Sequence, residues 1–204
     1  MIPIRHSFFA SALLCSLILP ALCMAAHGQT APPAAPPLPL KAALVLTPEF
    51  CATETSVGAW GINQEKFKVG NAACAELEPA LKGVFSTLTR VDAASSAGDA
   101  QVVLVPKFGD IAPTQPSMGH YHRELLVSVE WTVKDKSGKT VWLETIQGSA
   151  KRSIGNGFTH NKNLKRIVAD SVKEAAQQSA AKMSASPELR KLTNGNSSSQ
   201  TDRN

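Results

Sequence analysis

LLVSVEWTV (residues 125–133), KDKSGK (134–139) and TVWLETIQGSA (140–150) together form the stretch from which the architecture can be read. In the first segment Leu125, Val127, Val129, Trp131 and Val133 fall on alternate positions, with Ser128, Glu130 and Thr132 between them. A period of two is that of a strand with one face buried. The middle segment is a turn, in which Gly138 is free to take a positive φ. The third segment returns with Val141, Trp142, Leu143 and Ile146. Trp131 is in phase with the buried set. Trp142 alternates with Val141 and Leu143, so it packs either in the core or on the second face, where with Trp60 it could offer a carbohydrate or peptide platform.

Working outward, AQVVLVP (100–106) is the strongest strand of the chain, and residues 110–120 read as a loop. KAALVL (41–46) is a short buried strand ended by Thr47-Pro48. Residues 49–70, with Gly58, Gly61 and Gly70, read as irregular. Asn71 then caps a helix whose face is Leu77, Leu81, Val84, Phe85 and Leu88, with Pro79 either kinking it or moving its start to Glu76. Thr89–Asp92 is a short strand and residues 94–99 a loop. After a second loop, Ser153–His160, a final helix over Asn161–Ser184 carries Leu164, Ile167, Val168, Val172, Ala175 and Ala176 as its apolar stripe. The predicted order is β-α-β-β-β-β-α: an α+β sandwich, a mixed sheet with both helices on one face.

The flanks differ in kind. Phe8–Leu22 is apolar and uncharged behind Arg5, too short for a membrane span and suited to a signal-peptide core. Cleavage is expected after Ala25 or Ala26, giving a periplasmic or secreted chain; an uncleaved anchor is the alternative. Lipidation at Cys23, with outer-membrane tethering, is a further alternative, although Leu22 stands where a small residue is wanted. Residues 27–40 contain QTAPPAAPPLPL and read as an extended Pro/Ala spacer. The domain is assigned to 41–186, and 187–204 reads as a disordered tail.

The chain has 21 Lys and Arg against 16 Asp and Glu; only Arg5 lies in the leader, leaving 20 against 16, a net +4. The cations are scattered, apart from Lys151-Arg152 and Lys162, Lys165 and Arg166. That is short of a nucleic-acid footprint and compatible with solubility or weak attraction to an anionic surface. Cys51 and Cys74 remain after cleavage, and an even count outside the cytoplasm suggests a disulfide closing about 24 residues.

Catalytic signatures are missing. Gly138-Lys139-Thr140 lacks the upstream glycine of a phosphate loop, and no serine elbow, zinc-protease helix motif or dinucleotide fingerprint occurs. Glu124 and Glu130 share a strand face without a partner carboxylate. Met118-Gly119-His120-Tyr121-His122 is the one tempting cluster. In an extended strand His120 and His122 point the same way, a spacing able to hold copper or zinc with His160 or Met118 as third ligand. Two solvent-facing histidines in a polar loop are the plainer reading. No cofactor is called for.

Strand 41–46, the helix reaching Val84-Phe85, AQVVLVPKFGDI, the hairpin 127–150 and the closing helix running into Ser186-Pro187-Glu188-Leu189 occur in that order. This set resembles the small envelope domains of bacterial lipoproteins in the YajG and CsgG/LpoB/TolB-N-terminal circle, over roughly residues 41–190. Its most specific element is the DxxGKxVW hairpin, Asp135–Trp142, with Gly148-Ser149 at its exit. The resemblance implies an assembly or scaffold module and no catalytic residues. The expected function is thus a non-enzymatic exported envelope protein that binds a protein partner, with peripheral or lipid-anchored membrane association. A periplasmic metal or small-molecule binder using His120 and His122 is the alternative.

Overall fold

Leu38–Val45 forms β1, the hub of the parallel half of a five-stranded sheet. The computed structural model describes residues 36–59, 62–114, 122–153 and 160–195, with side chains left aside at 57–59, 62–65, 113–114, 122–123, 160–161 and 194–195. Within these, β1 is followed by α1 (Pro48–Cys51), a hairpin of β2 (Thr55–Ala59) and β3 (Ile62–Phe67), and α2 (Val69–Leu81). Then come β4 (Phe85–Val91), a short 3-10 turn at Ala94–Ser96, β5 (Val102–Thr114), β6 (His122–Asp135), β7 (Thr140–Ser153), α3 (His160–Ala185) and α4 (Pro187–Gly195). The main sheet runs β4-β1-β5-β6-β7: β1 is parallel to β4 and β5, and β5, β6 and β7 are antiparallel. The fold is α+β with a mixed sheet, as the alternating and helical periods require.

The core face is continuous across the strands. Leu44, Leu104, Val133 and Trp142 stand in one cross-strand row, and Leu125, Val127, Val129 and Trp131 continue it along β6; all are buried. Onto this face pack Val69, Ala73, Leu77 and Leu81 of α2, and Leu164, Ile167, Val168, Val172, Ala175 and Ala176 of α3. Both helical sets recur at i, i+3 or i+4, which places each on one stripe. Two buried serines on α3 knit it to β6. Ser171 Oγ donates to the Leu125 carbonyl at 2.9 Å, and Ser179 Oγ accepts from the Trp131 indole N–H at 2.8 Å. A fully buried indole N–H without such a partner would cost roughly 1–3 kcal/mol.

Several expectations are corrected. The spacer does not reach residue 40: Leu38 and Leu40 are both 1% exposed and belong to β1, their side chains on the same face as Ala42 and Leu44. Residues 187–195 are not tail but α4, whose Leu189 is buried. The cause is local. Ser186 Oγ accepts from the Leu189 backbone N–H, Pro187 opens the helix where no donor is needed, and Glu188 sits at the positive helix end. The same grammar explains α1 in the stretch read as irregular. Thr47 Oγ accepts from Phe50 N–H at 3.1 Å, with Pro48 and Glu49 between them.

Helix α2 starts at Val69, ahead of Asn71 and well ahead of Glu76, and continues through Pro79 to end at Leu81. Val84, Phe85 and Leu88 do not extend its face. The helix ends at Leu81 with Lys82 as its C-cap, and Phe85–Val91 pairs in parallel with β1, from Leu38↔Phe85 to Val45↔Val91. Strand β5 likewise runs on to Thr114, through part of the stretch read as a loop. Trp142 is settled in the core at 8% exposure, leaving Leu143 on the other face at 71%.

Cys51 and Cys74 are disulfide-bonded with Cα atoms 5.8 Å apart, joining α1 to α2. Next to this bond Phe50, whose ring stacks on Phe108 at 4.6 Å, anchors α1 against β5.

Candidate functional site

Every strand in the sheet except the two at its edges has both neighbours, so the edges decide what the sheet can still bind. Strand β7 is an edge by order, but α3 lies along it. Ser149 N–H donates to Glu174 Oε2 at 2.9 Å, and Asn163 Nδ2 donates to the Ser153 carbonyl at 3.2 Å. Lys182 pairs with Glu144 at 3.0 Å and Arg152 with Asp170. The first two contacts occupy backbone groups that an incoming strand would need, and the two ion pairs hold α3 beside the strand.

Strand β4 is different. It pairs with β1 and, among the described residues, with no other element. Ser86, Thr87, Thr89 and Arg90 are exposed along it. The side chain of Ser86 donates to the Leu40 carbonyl at 2.9 Å, and no described strand pairs with the outer backbone row of β4. An open edge of this kind is a template for strand addition.

The face away from the helices adjoins that edge. One row crosses all five strands as Thr89, Ala43, Val103, Lys134 and Thr140, and the next includes Val105, Thr132 and Leu143. Farther along, Lys107 and Glu130 pair at 3.7 Å across β5 and β6.

A cavity of about 510 Å³ lies between the 3-10 turn and the β6–β7 turn, beside Ala97, Asp99, Val103, Lys134 and Asp135. Its acids are already engaged. Asp99 bonds Lys41 at 2.5 Å, and the lysine's hydrogen bond and charge hold its carboxyl below the usual range. Asp135 Oδ1 accepts from Ser137 Oγ at 2.6 Å and from the Ser137 and Lys139 N–H groups, and the Ser137 hydroxyl leads in lowering its pKa. These bonds shape the turn that Gly138, at φ 82°, closes.

The proposed metal ligands are only partly placed. His120, Met118, Tyr121 and Trp60 lie outside the described residues. The backbone sets His122 at the start of β6 opposite Ser153, and His160 at the start of α3; their side chains are not described. Glu124 stands opposite Lys151, and Glu130 is engaged by Lys107. Among the described residues no group of three His, Cys, Asp or Glu is arranged to hold a metal ion. No described helix is long and apolar enough to cross a membrane.

No family model matches the sequence, and no curated protein matches it. Solved structures do. A Xanthomonas campestris protein assigned to the family DUF330 is 12% identical with a TM-score of 0.51, over 83% of this chain and 93% of that one. A minor lipoprotein from Acinetobacter baumannii is 16% identical with a TM-score of 0.46, over 73% of this chain and 94% of that one. At such identities the likeness to the Xanthomonas protein is one of fold. It defines the class: an α+β domain with a helical layer on one side of a mixed sheet.

Proposed function

We propose that this chain is a non-enzymatic module of the bacterial envelope that binds another protein by extending its sheet at β4. The observation that carries the reading is the contrast between the two edges. Helix α3 engages β7 through four side chains, whereas β4 presents its outer backbone row and an adjoining face of Val103, Val105 and Leu143. Main-chain pairing supplies affinity in such complexes, and the flanking side chains supply selectivity. Export is supported by the uncharged run Phe8–Leu22 and the Pro/Ala stretch before β1. Placement in the YajG and CsgG/LpoB/TolB-N-terminal circle, with or without a lipid on Cys23, belongs to the same proposal.

The test is a pull-down from envelope extracts at moderate salt, followed by amide exchange on the complex it yields. A specific protein partner that slows exchange along Phe85–Val91 is expected. A chain that recovers no partner, or a partner that leaves β4 amides unprotected, overturns the reading.

A further inference from the structure

At the end of the sheet where β1 finishes, β3, the start of α2 and the first turns of α3 enclose a groove of about 400 Å³. Phe67, Ala72 and Val168 form its floor, and Lys66, Lys68 and Lys165 stand exposed around it. Among the described residues no acid lines it, and none of the described ion pairs involves these lysines. The acid nearest in sequence on α3, Asp170, is held by Arg152. Lys162, three residues before Lys165, adds a further exposed cation to the same helix face.

Folding does not account for this cluster. Lys68 is the N-cap residue of α2 and makes no side-chain cap bond, and Lys162 lies in the first turn of α3; neither first turn holds an acid. Cations at helix N-termini oppose the macrodipole, and like charges around one groove repel one another. A position that works against local stability without a structural return marks a functional surface.

We infer that the groove receives an acidic segment of a partner polypeptide, with carboxylates meeting Lys66, Lys68 and Lys165 and an apolar side chain seated over Phe67 and Val168. The recessed apolar floor between cations decides for a peptide over a lipid surface, because a flat plane of headgroups cannot reach it. This surface is separate from β4, so it adds a second contact to the proposed module and stands or falls independently of it.

The experiment follows amide shifts of the labelled chain, from residue 27 on, as the hexapeptide Glu-Glu-Leu-Phe-Glu-Glu is added. Shifts confined to Lys66–Ala72 and Lys165–Ala169 are expected, weakening as salt is raised to about 0.5 M. The triple variant Lys66→Gln/Lys68→Gln/Lys165→Gln should lose about tenfold in affinity, three exposed ion pairs' worth, while keeping the parent's spectrum elsewhere. Lys136→Gln/Lys139→Gln, at the opposite end of the sheet, should bind as the parent does. Equal binding of Gln-Gln-Leu-Phe-Gln-Gln, unchanged affinity in the triple variant, or no shifts at the groove overturns the inference. So does binding of phosphatidylglycerol vesicles by a chain that ignores the peptide, which would make the cluster a membrane contact.

Discussion

Two glycines stand where backbones touch. A Cβ on Gly148 would come within 2.2 Å of the Ser171 carbonyl oxygen and 2.3 Å of the Ala175 nitrogen, so β7 and α3 meet with no side chain between them. A Cβ on Gly70 would lie 2.2 Å from the Phe50 carbonyl oxygen, which sets how closely α2 docks on α1 and thus where Cys74 meets Cys51. The obstacle in both cases is main chain, which cannot swing aside as a side chain can. Gly148→Ala should therefore cost about 3 kcal/mol, the upper end for overpacking. The check is a fall in urea midpoint at unchanged slope; an unaltered midpoint would mean that β7 and α3 can separate freely. A sequence shows that Gly148 lies in a strand. It cannot show that a helix backbone arrives there, because that contact spans more than twenty residues and leaves no mark on local pattern.

Among the elements, those with a strong internal period were legible and those defined by their neighbours were not. Strand β6 is legible from Leu125 to Val133 because burial on one face alternates, and α3 from Leu164 to Ala176 because its stripe never breaks. The first half of strand β4 is hidden where it overlaps an apparent helical face. Phe85 and Leu88 fit a helical spacing from Leu81, and only pairing with β1 decides for a strand. Helices α1 and α4 are a different kind of miss, since Thr47-Pro48-Glu49-Phe50 and Ser186-Pro187-Glu188-Leu189 carry the same capping signal in plain view. Within each, the acid's own backbone and then the capping hydroxyl lower the Glu49 and Glu188 pKa values. Helix α4 depends on Leu189, so Leu189→Ala should lose about 2 kcal/mol, the low end for a buried leucine because a terminal helix can detach. Amide exchange should quicken in α4 alone; quickening throughout β1 and β6 would show that α4 is part of the cooperative core.

For the whole molecule, the disulfide fastens the α1–β2–β3 excursion to α2. Closing about 24 residues restricts the unfolded chain by roughly 3 kcal/mol. Reduction, or Cys51→Ser/Cys74→Ser, should lower stability by that amount and leave the five-stranded sheet intact, as read by denaturant unfolding and far-ultraviolet dichroism. The pairing could be expected from an even count of cysteines outside the cytoplasm. The groove could not. Lys66 and Lys68 lie about a hundred residues before Lys165, so a scattered charge pattern hid a cluster that only the packing of β3 beside α3 assembles.

The parallel half of the sheet also sets an order in time. A growing chain makes β1 first, yet its neighbours begin only at Phe85 and Val102, and the helix that covers its antiparallel extension follows after His160. Closing such distant pairs is slow, and no early segment can bury Leu38 to Leu46 by itself. Strand β1 therefore has no partner in the main sheet until residues 85–91 have been made. During that interval the apolar strand Leu38–Val45 is exposed, the condition in which a holding chaperone would meet it.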